Sequence, residues 1–276
     1  MGETMIKEMK LGQQILDMNR THVMGILNVT PDSFSDGGKW NAKDRSLRHV
    51  EQMIADGAAI IDIGGESTRP GYTMISEEEE IERVVPIIEA VRQNFSIPIS
   101  VDTYKSKVAE AACIAGADLV NDIWGLIYDK NMASVVKKYD KAVCIMHNRK
   151  DMNYQSFLED WKLDIEHSIA IAKKAGIADN KIILDPGVGF AKSYEMNLMA
   201  IKHMNELLAY EYPVLLGTSR KSVIGLTLNL PVEEREEGTL ATTVLAVMQG
   251  CQFVRVHNVK ANVRAIKMAE AVKTSR

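Results

Sequence analysis

In eight places along the chain a polar side chain follows directly on a short apolar run. They are Asn28, the triplet Gly64, Gly65 and Glu66, Asp102, Asn121 with Asp122, His147 with Asn148, Asp185, the segment from Thr218 to Lys221, and Arg255 with His257. A lone Asp in such a place often caps the next helix. Eight polar groups in equivalent places exceed what capping accounts for, and they read as one convergent ligand site. A carboxylate taken out of water is costly unless the ligand supplies donors. Asp102 and Asp185 beside the Asn121 amide therefore suit a flat heterocycle with an amidine-like N–H edge. The Arg255 guanidinium can lie over an aromatic ring. Lys221, Arg255 and His257 bring the positive charge that a phosphate-bearing substrate requires. In GTSRKSVIG, Ser222 and free backbone N–H groups open a helix and can receive a carboxylate. No Ser-His-Asp or Cys-His arrangement for a covalent enzyme nucleophile is apparent.

Such groups converge only if the ends of separate strands meet. Strand candidates at 22–29, 58–64, 97–102, 117–122, 142–147, 181–185, 213–218 and 253–257 alternate with helical segments at 43–57, 77–94, 105–116, 129–139, 154–175, 194–208, 233–249 and 259–272. Strict alternation implies parallel strands with right-handed crossovers, and eight units match a closed barrel with its chemistry at the C-terminal strand ends. An open doubly wound dinucleotide sheet would place G-x-G-x-x-G after the first strand, where this chain has NVTPDSFSDGG. The expected fold is α/β, a single (β/α)8 TIM barrel with long loops after strands 1 and 2. Those loops, TPDSFSDGGKW and GGESTRPGYTMIS, leave from the active end and carry glycines that suit hinged closure over a site. Ser76 ahead of Glu77 to Glu80 reads as a capped helix start with carboxylates on the favourable end of the dipole.

Composition narrows the partners. The 276 residues are 46% hydrophobic and 25% charged with a net charge of -4, a soluble globular balance with no basic excess for nucleic acid or anionic lipid. Cys113, Cys144 and Cys251 have neither disulfide nor zinc spacing and read as core thiols of a reduced compartment. Residues 1–20 mix charges without an apolar run, unlike a signal peptide or membrane anchor, so the chain is expected to be cytoplasmic.

The segments MGILNVTPDSFSDGG (24–38), DIGGESTRPG (62–71), SVDTYK (100–105), NDIWG (121–125), MHN (146–148), LDPGVGFAK (184–192), LGTSRKS (216–222) and VRVHNV (254–259) resemble the dihydropteroate synthases in order and content. The resemblance runs from about residue 22 to the end and is most specific in its first two segments. It implies residues 22–276 as one pterin-binding catalytic barrel, with residues 1–21 an extension packed on it and no catalytic role for that extension. It further implies that 6-hydroxymethyl-7,8-dihydropterin pyrophosphate and p-aminobenzoate give 7,8-dihydropteroate and pyrophosphate, with Mg2+ required and a homodimer as the assembly. Carried over by position, Asn28 would hold Mg2+ with the pyrophosphate. Asp102, Asn121, Asp185 and Lys221 would hold the pterin edge, with Ile123, Met146, Phe190 and Gly217 lining its pocket. Arg255 would stack on the ring, and Arg255 with His257 would contact the pyrophosphate. Thr68, Arg69 and Pro70, with Phe34 and Asp36, would complete the p-aminobenzoate site, and Ser222 would receive its carboxylate. The catalytic group would be Asp36, Arg69, Lys221, Arg255 and His257. Position 258 is Asn where members often carry Asp. Two other readings share the pterin pocket. A methyltetrahydrofolate methyltransferase would lack the S-D-G-G and S-T-R-P-G loops, and a non-catalytic pterin-binding paralogue would bind pterin without releasing pyrophosphate.

Overall fold

The computed structural model describes residues 6–29, 38–66 and 74–275. It opens with a hairpin of two antiparallel strands, β1 (Glu8–Leu11) and β2 (Gln14–Asp17). Eight parallel strands follow: β3 (His22–Asn28), β4 (Ile60–Gly64), β5 (Ile99–Asp102), β6 (Leu119–Asp122), β7 (Ala142–Met146), β8 (Ile182–Asp185), β9 (Leu215–Leu216) and β10 (Phe253–Val256). Their order, β8-β7-β6-β5-β4-β3-β10-β9, comes round to its start through a parallel bridge between Leu184 and Val214, so the sheet closes into the expected (β/α)8 barrel. Outside it lie α1 (Gly38–Ala55), α2 (Glu77–Asn94), α3 (Ser106–Ala115), α4 (Met132–Lys138), α5 (Phe157–Lys174), α6 (Tyr194–Lys202), α7 (Ser222–Leu228), α8 (Glu236–Gln249) and α9 (Val259–Thr274). No helix among the described residues is long and apolar enough to cross a membrane.

The two-residue period of a strand sorts its side chains between two environments. On β4, Ile61 and Ile63 face outward into the large apolar layer under the helices, together with Val101, Val120 and Ile145. The other phase points to the barrel axis. At the N-terminal end of the barrel that phase is apolar: Met24, Ile60, Leu119, Ile183, Leu215 and Phe253 form one buried cluster. Two residues further along, the same phase brings Asp62, Asn121, Asp185, Gly217 and Arg255 to the axis. The barrel is thus oily at one end and polar at the other, and a step of two residues separates the regimes.

The hairpin completes the oily end. Met9, Leu11, Leu16 and Met18 pack into the axial apolar cluster, so the hairpin acts as a stopper beneath the barrel. The strand pattern had not been anticipated within residues 1–21, because four-residue strands give too short an alternation to read. Three further differences are local. The segment 213–218 forms only a two-residue strand, since Pro213 has no N–H and Val214 N donates instead to Gln252 Oε1 at 2.9 Å. The single helix expected over 194–208 ends at Lys202, and a 3-10 segment runs from Met204 to Tyr210. The start of α2 is capped as expected, with Ser76 Oγ accepting from Glu79 N at 3.1 Å, but Glu80 turns inward and is buried. Cys113, Cys144 and Cys251 are free and buried.

Because Leu11 is 1% exposed and sits far from the polar end, Leu11→Ala is expected to cost about 2–4 kcal/mol of unfolding free energy in a urea titration. Ligand affinity at the opposite mouth should be unchanged. A loss below about 0.5 kcal/mol, the range of ordinary surface substitutions, would mean that the hairpin is not part of the core.

Candidate active site at the C-terminal mouth of the barrel

Arg255, inward on β10, is clasped by carboxylates from two other strands. Its Nε donates to Asp62 Oδ2 at 2.6 Å and its Nη2 donates to Asp102 Oδ2 at 2.6 Å. Asn121 Nδ2 also donates to Asp62 Oδ2, at 3.4 Å. The second oxygens, Asp62 Oδ1 and Asp102 Oδ1, are buried and have no hydrogen-bond partner among the described residues. Burial pushes the Asp102 carboxyl up to about 7; Arg255 opposes that shift and Asp62 reinforces it. Burial disfavours the Arg255 charge as well, but Asp62 and Asp102 more than reverse this and raise its pKa. The result is a fixed guanidinium with one edge occupied, beside two acceptors that await donors.

Asp185 faces this clasp from β8. Its Oδ1 accepts from Gly187 N at 2.7 Å, while burial raises its pKa against the pull of Lys221. Lys221 Nζ donates to the Val188 carbonyl and lies 4.8 Å from the Phe190 ring centre. Burial lowers the Lys221 ammonium to about 8. A side chain at Gly217 would touch both groups, since a Cβ there would stand 3.6 Å from Asp185 Oδ2 and 3.9 Å from Lys221 Nζ. Tyr104, Ile123 and Met146 are buried as one apolar patch, with Trp124 and Phe190 packed on it. An apolar wall, an acid-rich edge and a planar cation are what a flat heterocycle with N–H donors would meet.

The remaining groups stand around the rim. His257 Nδ1 lies 2.9 Å from Ser219 Oγ, and the same hydroxyl accepts from His257 N at 3.2 Å. Asn28 ends β3 with its side chain exposed, and Ser222 is exposed as the first residue of α7. Phe34, Asp36, Thr68, Arg69 and Pro70 lie outside the described residues.

Several working parts were not singled out from the sequence. Asp62 lies inside its strand rather than at the end, and its inward phase, two residues after Ile60, is the signal that marks it. A buried knot also escaped notice, in which Lys105 Nζ donates to Glu66 Oε2 at 2.6 Å, to Glu80 Oε2 at 2.7 Å and to the Ile75 carbonyl at 2.9 Å. Tyr104 Oη donates to Glu66 Oε1 at 2.7 Å, tying this knot to the apolar wall. No local pattern announces it, because its parts are scattered over three elements.

The fold and the site define a barrel enzyme that takes a flat, donor-bearing ring, and residues 24–257 match the model of pterin binding enzymes. Over 96% of this chain and 99% of the relative, it is 58% identical to the dihydropteroate synthase of Clostridium beijerinckii. Among solved structures, the Clostridium difficile dihydropteroate synthase crystallised in the presence of pteroic acid superposes with a TM-score of 0.90 at 50% identity, covering 96% of this chain and 99% of that one. The Yersinia pestis dihydropteroate synthase in a sulfonamide drug complex gives 0.91 at 44% identity, covering 97% and 100%. The chain belongs to the dihydropteroate synthase family of pterin-binding enzymes.

Asp102 supplies a stability test of the clasp. Its folded pKa, about 7, lies above the ordinary aspartate value of 3.8, so the folded protein holds this proton more tightly than the unfolded chain does. Its contribution to stability is therefore lost progressively as pH climbs from about 4 through 7. Asp102→Asn should flatten this part of the dependence and raise the melting temperature of the ligand-free protein at pH 8 relative to the parent. Parallel melting curves of parent and variant from pH 5 to 8 would contradict the raised pKa.

Proposed function

We infer that this chain is a transferase that condenses 6-hydroxymethyl-7,8-dihydropterin pyrophosphate with p-aminobenzoate, giving 7,8-dihydropteroate and pyrophosphate on the route to folate. The observation that carries this reading is the pair of open acceptors, Asp62 Oδ1 and Asp102 Oδ1, on carboxylates held by Arg255 at the same end of the barrel as an apolar patch of Tyr104, Ile123 and Met146. Relatives named dihydropteroate synthase, one in a complex with a sulfonamide, support the two substrates and a site open to sulfonamides.

In this reading Asp102, Asn121 and Asp185 accept and donate along the pterin edge, and Ile123, Met146, Phe190 and Gly217 make room for the ring. Arg255, held by one edge, offers its face for stacking, and its charge with that of the Lys221 ammonium favours a departing anion. His257 and Ser219 stand at the rim where the pyrophosphate would leave. Cleavage of the methylene C–O bond takes its electron pair to pyrophosphate and leaves a pterin cation that neighbouring carboxylates tolerate. The p-aminobenzoate nitrogen then forms the new C–N bond and gives up a proton. Phe34, Asp36, Thr68, Arg69 and Pro70 are proposed to complete the p-aminobenzoate site, with Ser222 toward its carboxylate. Their loops would hold the amine and exclude water, a competing nucleophile.

The donor set fits a Mg2+ ion that arrives with the diphosphate. Asn28 offers one neutral, exposed amide oxygen, and no three His, Cys, Asp or Glu side chains among the described residues are grouped to hold an ion. Mg2+ keeps its waters readily and prefers substrate phosphates to an all-protein cage, so Asn28 would hold it together with the pyrophosphate. When bound, it neutralises charge on the leaving group. A cytoplasmic homodimer is the proposed state, and α7 and α8 expose Leu226, Leu245 and Met248, apolar area that a second copy would cover.

The direct test is a coupled pyrophosphate-release assay with the pterin pyrophosphate, with and without p-aminobenzoate. Release that depends on p-aminobenzoate supports the transferase; pterin binding without such release would leave a binding protein. Asp185→Ala should weaken pterin binding by roughly 2–5 kcal/mol in a calorimetric titration, the scale for truncating one partner of a buried charged contact. Affinity within twofold of the parent would remove Asp185 from the pocket. For Asn28→Ala, the Mg2+ concentration at half-maximal rate should rise while binding of pterins lacking pyrophosphate stays the same. An unchanged Mg2+ dependence would sink that assignment.

A further inference from the structure

The loop from Pro186 to Lys192 is built around a buried ammonium. Lys192 Nζ donates to the Gly187 carbonyl at 2.8 Å and to the Phe190 carbonyl at 3.0 Å, and it lies 2.8 Å from His147 Nδ1. Three Nζ hydrogens thus meet three acceptors, none of them a carboxylate. His147 accepts at Nδ1 only as a neutral ring, and burial lowers its pKa to about 4. Its other nitrogen, Nε2, lies 2.9 Å from Asp164 Oδ2, which fixes the tautomer with the proton on Nε2. Asp164 is also held by Arg149, whose Nη2 donates to its Oδ1 at 3.2 Å. The arrangement is a relay from Lys192 through His147 to Asp164.

An ammonium withdrawn from water is expensive, and burial lowers that of Lys192 to about 7. What it holds in place is the pocket floor. Phe190 belongs to the apolar wall, and the Val188 carbonyl between the two gripped carbonyls receives Lys221. The loop has no strand or helix ladder of its own, and this grip joins anchors from Trp161 to the Pro186 carbonyl at 3.1 Å and from Gly189 N to Asn197 Oδ1 at 2.6 Å. Gly187 adopts φ +70°, and a Cβ there would fall 1.9 Å from the His147 carbonyl, so loop and relay are packed in backbone contact.

We propose that Lys192 is a positioning residue for the pterin pocket, setting Phe190 and, through the Val188 carbonyl, Lys221, with His147 and Asp164 holding its ammonium in place. This rests on the pterin-pocket reading above. The test compares the parent with Lys192→Met, of similar length without donors, and with Asp164→Asn, which keeps the lysine but removes the charge that orients His147. Dissociation constants for pteroic acid and 6-hydroxymethylpterin are measured by calorimetry, alongside KM for p-aminobenzoate and melting temperature. Lys192→Met should weaken pterin binding about tenfold or more, and Asp164→Asn about threefold, on the scale of buried acceptors left without a donor. The KM for p-aminobenzoate should stay within about twofold, a split that simple unfolding does not produce. If Lys192→Met fails to fold, Asp164→Asn alone decides between these outcomes. Pterin affinity within twofold of the parent in the folded variants would overturn the proposal. So would a proportional loss of pterin affinity, p-aminobenzoate use and melting temperature, the mark of a structural role only. A parent protein that binds neither pterin would instead overturn the pocket reading itself.

Discussion

Everything at the mouth of this barrel depends on Arg255 being held between Asp62 and Asp102. A guanidinium on the axis of a barrel must be paired, and an unpaired carboxylate there would take up a proton. One cation shared by two carboxylates meets the first demand and partly offsets the second, while leaving one oxygen on each acid without a partner among the described residues. That residual capacity is where ligand donors would bind. Asp185 and Lys221 stand beside the clasp and hold other partners, the Gly187 N–H and the Val188 carbonyl, while burial raises the pKa of Asp185 and lowers that of Lys221.

Such a polar cluster could not stand alone. The inward phase of the same strands, one step lower, is apolar apart from Ser100 on β5, and the N-terminal hairpin seals it from below. Burial of that layer and of the helix-facing layer supplies the stability against which the charged mouth is set. The loop after β8 follows the same rule on a smaller scale, with side chains of Lys192, Lys221 and Trp161 satisfying carbonyls that have no ladder partner.

Much of this was legible in the sequence. Alternation of apolar strands with amphipathic helices carried the barrel, and the polar residues after each apolar run do fall at the C-terminal ends of its strands. Asp102, Asn121, Asp185, Lys221 and Arg255 do come together there. What escaped reading depends on partners distant along the chain. Asp62 lies inside an apolar strand and acquires its meaning only from Arg255, 193 positions away. Glu80 looked like one more carboxylate at a helix start until Lys105 from the next unit reached it. Lys192 lies in a loop, and nothing near it in sequence announces that its ammonium turns back to His147. Periodicity reports which face a residue occupies, whereas long-range pairing decides what that face contains.

The central claim, that the clasp keeps an acid ready for ring donors, has a direct measurement in proton exchange on pterin binding. Calorimetric titrations of 6-hydroxymethylpterin at pH 7, run in two buffers of different ionisation enthalpy, count the protons exchanged. Because Asp102 titrates at about 7 in the empty protein and must be ionised to accept ring N–H groups, binding should release a fraction of a proton. In Asp102→Asn that release should vanish while any proton exchange of the pterin itself persists. Equal proton exchange in the parent and in Asp102→Asn would contradict the account.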